Sequence, residues 1–274
     1  MNINREAGEF LKLEGKTAVI TGGGVNIGRE ISRSLASLGV KVAIVYNSSS
    51  AGAFLTVEEI EAAGGIAKAF QADVSSGPEV EKLFDALCGD EQFGRVDILI
   101  NNSGIFSSYD QIDLPEEEWE KIFNINTKGT FLCAREAARR MKNQLSLEGA
   151  KSRGTIINMA SINAIHPGFG QTVHYDASKG AVLAFTRSLA AELGPHAIRV
   201  NAVAPGLVDS KGLREGAGEL AKRVEKRNPL NQIDGTSPLV TAGDVANTVI
   251  YLASNLSSAV TGEMVVTDRG YLLT

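Results

Sequence analysis

Seven short apolar runs rich in β-branched residues recur along the chain: Thr17–Thr21, Lys41–Tyr46, Ala67–Ala72, Val96–Asn101, Thr155–Ala160, Arg199–Ala204 and Glu263–Thr267. They are continuous rather than alternating, the mark of strands buried on both faces and hence of a parallel sheet. Helical patterns separate them. Ile27, Ile31, Leu35 and Leu38 recur at helical spacing after the first run, and Gly39 stands where a C-terminal cap belongs. A second helix opens at Pro115 with Glu116, Glu117 and Glu118 in its first turn, where the macrodipole favours negative charge, and should continue to about Met141. A third runs from Asp176 to Leu193 and is closed by Gly194 and Pro195. Strand and helix alternating over the whole length predict an α/β fold: one domain, residues 1–274, with a doubly wound parallel sheet and helices on both faces. Gln144–Gly154 reads as a surface loop. Leu207–Gly243, which holds a short helical run from Glu215 to Glu225, is expected to form a substrate lid, because it follows the C-terminal end of a strand.

Several function classes are excluded by composition. Among 274 residues the net charge is −5, and Lys and Arg are scattered, so no nucleic-acid footprint exists. Cys88 and Cys133 lie far apart outside any metal or redox motif, which suits a reducing compartment. Apolar runs such as Val42–Tyr46 are far shorter than the ~20 residues needed to span a bilayer, so no membrane partner is expected. Met1–Lys16 lacks the apolar stretch of a secretion signal, and the expectation is a cytoplasmic protein. No GxSxG elbow is present, which argues against a hydrolase. His166, His174 and His196 lack ligand spacing, so no metal site is expected.

Thr21-Gly22-Gly23-Gly24-Val25-Asn26-Ile27-Gly28 follows the first strand and runs directly into a helix. Small residues there let the backbone approach a pyrophosphate, which the helix N-terminus receives through its amides. Cofactor choice is read at the end of the second strand, where an NAD enzyme usually carries a carboxylate. Here stand Tyr46, Asn47, Ser48, Ser49 and Ser50, and no acidic residue occurs between Glu30 and Glu58. A 2′-phosphate would meet hydroxyl and amide donors and no repulsion, so NADP is favoured over NAD. The alternative is a Ser-rich loop that merely caps the next helix.

Tyr175 and Lys179 stand one helical turn apart, on one face. An ammonium beside a phenol favours the phenolate, lowering a pKa ordinarily near ~10 so that the phenol exchanges a proton with a carbonyl or alcohol oxygen. Ser161 ends the preceding strand, at the rim where such sheets bind ligands.

Taken in order, Thr21–Gly28, Asn101-Asn102-Ser103-Gly104, Asn126, Ser161, Tyr175-Asp176-Ala177-Ser178-Lys179 and Pro205-Gly206 resemble the short-chain dehydrogenase/reductase family, over a span from about Leu13 to Tyr271. The resemblance implies a Rossmann fold and hydride transfer between a nicotinamide cofactor and a small-molecule carbonyl or secondary alcohol. It implies Tyr175 as general acid/base, Lys179 as the residue that tunes it and holds the nicotinamide ribose, and Ser161 as the hydrogen-bond partner of the substrate oxygen. Asn126 would anchor a proton-relay water. Asp73, beside Val74, would bind the adenine amino group, and its alternative role is to cap the following turn. Asn101, Ser103 and Gly104 would line the ribose; Asn101 alternatively stabilises the strand end. Pro205, Gly206, Val208 and Ser210 would orient the carboxamide.

Three positions depart from the family pattern: Asn26 replaces a Gly of the turn, Val25 stands where many NADP-using members carry Arg, and Asp268-Arg269-Gly270 replaces Asp-Gly-Gly. Asn tolerates left-handed backbone, so the turn is expected to survive. Ile162, Asn163, His166, Gly168 and Phe169, with the Leu207–Gly243 segment, are the expected pocket walls, and Asn163 and His166 hint at a polar substrate. The likeness is nearest to 3-oxoacyl-carrier reductases and next to sugar or polyol dehydrogenases. It also implies a homotetramer, or a homodimer, with Phe131, Leu132, Ala184 and Phe185 supplying apolar helix faces. The rival reading is a non-catalytic dinucleotide-binding scaffold or sensor of the same fold, whose usual sign is a broken Tyr or Lys.

Overall fold

All seven apolar runs form strands in the computed structural model, which describes residues 11–168, 170–210, 213, 218–232 and 239–274. They are β1 (Thr17–Thr21), β2 (Lys41–Tyr46), β3 (Ala67–Gln71), β4 (Ile98–Asn101), β5 (Gly154–Met159), β6 (Ile198–Pro205) and β7 (Met264–Thr267). Every pairing is parallel, and the sheet order is β3-β2-β1-β4-β5-β6-β7. The order reverses between β1 and β4, so connections leaving their C-terminal ends diverge and open a crevice there.

The apolar runs are continuous because successive side chains serve two cores. Ala18, Ile20, Val42, Ile44, Ile98 and Ile100 face one layer, where Ile31, Leu35, Ile60, Val245 and Val249 cover them. These covering residues come from α1 (Asn26–Ala36), α2 (Ser50–Ala62) and α8 (Ala242–Ala253). Val19, Ala43, Val45, Leu99 and Ile156 face the opposite layer, against Phe84, Leu87, Cys133 and Leu193. That layer comes from α3 (Gly77–Cys88), α5 (Gly129–Asn143) and α6 (Val173–Leu193). With both faces apolar, a one-residue slip would exchange one buried set for another, so alternation alone does not set the register. Polar pins contribute: the Thr17 amide donates to buried Asp97 Oδ2 at 3.0 Å, joining β1 to the entry of β4.

Three elements depart from the sequence expectation. The helix expected from Pro115 to Met141 is interrupted: α4 (Glu116–Phe123) passes through a π-helical turn, Asn124–Lys128, before α5 begins. Thr130 Oγ1 donates to the Asn126 carbonyl at 2.7 Å in this widened turn, the kind that occurs often at functional sites. Next, α6 begins at Val173 rather than Asp176. Asp176 instead closes the first turn, accepting from Thr172 Oγ1 (3.1 Å), the Gly168 amide (2.9 Å) and Asn163 Nδ2 (2.7 Å). Finally, α8 opens with a capping box: Asp244 N donates to Thr241 Oγ1 (3.1 Å), and Thr241 N donates to Asp244 Oδ2 (2.9 Å).

The Leu207–Gly243 segment holds α7 (Gly218–Arg227), a 3-10 turn at Pro229–Gln232 and a single parallel bridge between Val208 and Val240. Of the helical run expected from Glu215 to Glu225, residues 215–217 lie outside the described residues. Val224 of α7 packs in a small buried cluster with Ile162, Leu239 and Tyr271. Among the described residues no helix is long and apolar enough to cross a membrane.

Candidate active site

The glycine turn is shaped by contacts that tolerate no larger side chain. A Cβ at Gly28 would lie 2.1 Å from the Gly22 carbonyl oxygen and 2.6 Å from Asn102 Nδ2. Asn26 adopts φ +48°, the left-handed region a glycine would occupy freely, so the substitution keeps the turn's conformation. The residue capping α1, Val25, has no side chain able to bond the first-turn amides, and no acidic residue lies in that turn. Those amides therefore face the cleft with their positive potential uncompensated, which fits an anionic pyrophosphate. Gly22, Gly24, Asn26, Ile27 and Gly28 line this end. Thr21 does not; its hydroxyl accepts from the Asn102 and Ser103 amides, each at 2.9 Å, and so ties β1 to the loop after β4.

Tyr46, Asn47 and Ser48 line the same cleft at the end of β2, with Ser49 added. Tyr46 is steadied by the Phe54 ring 5.8 Å away. Asp73 and Val74 line it at the end of β3, and Asp73 is the one carboxylate among the lining residues. One Asp73 oxygen is engaged: Oδ1 accepts from the Ser75 amide and hydroxyl, both at 2.8 Å, so the residue caps its turn while facing the cleft.

At Asn101 the ribose expectation is corrected. Its side chain is 3% exposed and turned away from the cleft, donating to Asn158 Oδ1 (2.9 Å) and the Thr130 carbonyl (3.3 Å). The neighbouring Asn102 lines the cleft instead, with Ser103 and Gly104, and Asn102 Nδ2 donates to the Thr21 and Gly22 carbonyls at 3.0 and 3.2 Å. One step along the strand end moves a side chain to the other face.

This cleft continues over Ile27, Asn102, Gly104 and Ile105 into a second part lined by Ser161, Tyr175, Lys179, Pro205, Gly206 and Val208. Ser161 Oγ accepts from the Asn163 amide at 3.2 Å and hydrogen-bonds the Tyr175 hydroxyl. Lys179 is buried, and its Nζ donates to the Met159 carbonyl at 2.8 Å. Behind the cleft, Asn126 Oδ1 accepts from Ile105 N (2.9 Å), while its Nδ2 donates to Ile105 O (3.0 Å) and Ser178 Oγ (3.1 Å). Asn126 thus clips the loop after β4 to α6 and does not line the cleft. Ser210 stands apart as well, its hydroxyl accepting from the Leu213 amide at 3.2 Å.

The expected tuning of Tyr175 by Lys179 is corrected too. Burial pushes the Tyr175 phenol up to about 12, with the Asp176 charge adding to it and the Ser161 hydrogen bond opposing it. Lys179 contributes nothing to that shift: its Nζ lies 5.7 Å from the phenol ring centroid and is spent on Met159. Burial in turn pulls Lys179 from 10.5 down to about 8. Burial is the cause at Lys179, and at Tyr175 it outweighs the Ser161 hydrogen bond.

Most of the expected pocket walls are engaged elsewhere. Ile162 is buried in the cluster with Val224 and Tyr271, Asn163 and Gly168 serve Asp176, and the His166 ring sits 6.0 Å from that of Tyr271. Phe169 lies outside the described residues. Ile105, Phe106, Met159 and Ala160 form walls instead, and the sequence reading had not singled them out. The available signal was an aromatic residue two positions after Gly104 in a loop leaving a strand's C-terminal end.

The family model described as Enoyl-(acyl carrier protein) reductase matches residues 24–272. The L-rhamnose 1-dehydrogenase (NAD(P)(+)) of Azotobacter vinelandii is 36% identical over 260 residues, covering 93% of this chain and 96% of that protein. The 3-oxoacyl-(acyl-carrier-protein) reductase of Staphylococcus epidermidis is 35% identical over 255 residues, covering 93% of this chain and 98% of that protein. Among solved structures, a short-chain type dehydrogenase/reductase from Mycobacterium marinum superposes with TM-score 0.85 at 34% identity, over 96% of this chain and 97% of that one. A protein proposed to be an NAD(P)-dependent gluconate 5-dehydrogenase from Beutenbergia cavernae, solved with bound NADP at low occupancy, gives TM-score 0.83 at 29% identity, over 96% and 98%.

Proposed function

Because this chain belongs to the short-chain dehydrogenase/reductase family and is an NAD(P)-dependent oxidoreductase, we propose that Tyr175 is its general acid/base and NADP its preferred cofactor. The observation that carries the first part is the meeting of Tyr175, Ser161 and Lys179 on one wall of a cleft continuous with the glycine turn. The dinucleotide supplies or accepts the hydride; the chain holds it, shapes the pocket and moves the proton. In the reducing direction the Tyr175 hydroxyl gives its proton to the carbonyl oxygen, and in the oxidising direction its phenolate takes the proton from the alcohol. Ser161 donates to the same oxygen and holds it against Tyr175. Lys179, on the same wall, holds the nicotinamide ribose. Asn126 keeps the Gly104–Ile105 backbone in place, where a Cβ at Gly104 would lie 3.4 Å from Lys179 Nζ. From the Leu207–Gly243 segment, Val208 lines the substrate side of the cleft.

The NADP preference rests on the end of β2. Asn47, Ser48 and Ser49 present amide and hydroxyl donors there, with no carboxylate to repel a 2′-phosphate. Separate titrations with NADPH and NADH, followed by nicotinamide fluorescence, should give at least tenfold tighter NADPH binding, about 1.4 kcal/mol. Tighter NADH binding would overturn the preference, and binding of neither would overturn the oxidoreductase assignment of the cleft. The scaffold reading has no observation in its favour, since the proton-transfer groups are intact and adjacent.

For assembly, the proposal is a homotetramer. Phe131 on α5 is 42% exposed, packs on Phe185 of α6 (6.2 Å) and lies 5.4 Å from the Arg135 guanidinium, an aromatic face suited to a second copy. Light scattering on the size-exclusion peak should return four chains; a monomer would refute it. The two thiols, Cys133 buried, fit the cytoplasmic setting proposed for it.

A further inference from the structure

Phe106 is the least expected residue of the catalytic cleft. Its side chain is 61% exposed, yet it lines the same wall as Ser161 and Tyr175. Its ring meets the Tyr175 ring edge-to-face, with centroids 5.1 Å apart and planes at 77°. A single exposed apolar side chain ordinarily needs no explanation. This one is held in place by an unusual amount of structure. His174, only 1% exposed and next to Tyr175, places Nε2 2.9 Å from the hydroxyl oxygen of Ser107. The Ser107 hydroxyl donates to Glu118 on α4, holding that carboxylate below its usual range. Two more bonds fasten the loop to the segment leading into α6: Tyr109 N to the Gln171 carbonyl at 2.9 Å, and Ser108 Oγ to Gln171 Oε1 at 3.2 Å.

The loop is therefore locked on both sides of Phe106, through Asn126 at Ile105 and through His174 at Ser107. A ring carried on a loop fastened on both sides, left open to the cleft and set against the proton donor has one evident use, contact with the substrate. The same lining includes the apolar side chains of Ile105, Met159 and Val208. Asn163, which would have offered a polar wall, is spent on Asp176.

We propose that Phe106 is a specificity-determining residue whose ring packs against a flat apolar substituent of the substrate, so that the preferred substrates are aryl or conjugated carbonyl compounds rather than sugars. This rests on the reading of Tyr175 as the proton donor. The test uses the full-length protein with NADPH and two probes, 1-phenyl-1,2-propanedione and butane-2,3-dione, together with L-rhamnose oxidation with NADP. Wild type should show kcat/KM at least tenfold higher for the aryl diketone than for butanedione, and weaker turnover of the sugar. Phe106→Ala should lower the ratio of kcat/KM for the aryl diketone over that for butanedione about tenfold, chiefly through the aryl diketone's KM. Phe106→Tyr should restore the aryl KM. Because Phe106 is exposed, an unchanged melting temperature is expected for both variants. The proposal fails if Phe106→Ala weakens both diketones alike, if the sugar is preferred, or if none of the three probes turns over in protein that binds NADPH. Turnover surviving Tyr175→Phe would instead bring down the acid/base reading, and the diketone ratio would still judge Phe106.

Discussion

Tyr175→Phe should lower kcat for carbonyl reduction by about 10³-fold, about 4 kcal/mol of transition-state stabilisation, and leave NADPH binding within about twofold. The variant keeps the ring, and with it the edge-to-face contact with Phe106 and the packing near Lys179 Nζ, so it removes a proton donor and little else. Ser161 cannot take over the transfer, since an aliphatic hydroxyl is a far weaker acid than a phenol and its own role is to orient the oxygen. The height of the phenol's pKa gives the wild type a directional signature. Held up to about 12, Tyr175 carries its proton throughout the neutral range, so reduction should stay level between pH 6 and 8 on its account. Alcohol oxidation draws on the scarce phenolate and should climb about tenfold per pH unit until another step limits it. Initial rates in both directions, with stopped-flow readout of nicotinamide absorbance, check both parts. Turnover within tenfold of wild type in the variant would show that another group carries the proton.

How much of this was readable before the structure depended on whether the deciding contacts were local. The strands were, because a run such as Ile98–Asn101 is buried on both faces and must be apolar throughout. Tyr175 and Lys179 were, because a helical repeat of four needs no tertiary information. The π-helical turn was not: the Asn, Ile and Thr of Asn124–Lys128 only weaken a helix mildly, and the turn is tied down by Asn126 bonds to Ile105 and Ser178, 21 and 52 residues distant. The exchange of Asn102 for Asn101 at the cleft turned on a single step of strand register, invisible where two identical residues adjoin. Asn163 misled because a local turn recruited its amide through Asp176. The pKa of Tyr175 misled because adjacency on a helix face says nothing of where the ammonium is directed, and Lys179 is directed at a carbonyl.

That same arrangement makes Lys179 a liability for folding. Burial moves its pKa from 10.5 to about 8, and a shift of that size corresponds to about 3 kcal/mol. Below pH 8 the side chain is charged in both the native and unfolded states, and the native state bears the whole desolvation cost. Between pH 8 and 10.5 the unfolded chain binds a proton that the native chain has released, so native stability rises with pH. Above 10.5 both are neutral and the cost is gone. Lys179→Met removes the ionisable group at similar length. It also removes the bond to the Met159 carbonyl, but that loss is the same at every pH. The stability of the variant minus that of wild type should therefore fall by about 3 kcal/mol as pH rises from 7 to above 10, whatever its value at pH 7. Urea melts at pH 7, 8, 9 and 10 on both proteins would measure it, and a flat difference would mean that the ammonium is not desolvated in the fold. The variant should also lose turnover, for want of the ammonium that holds the nicotinamide ribose. If both hold, the position carries a group that weakens the native state at the pH where the enzyme works. Such a conflict with folding is expected at a functional residue and is hard to account for at a structural one.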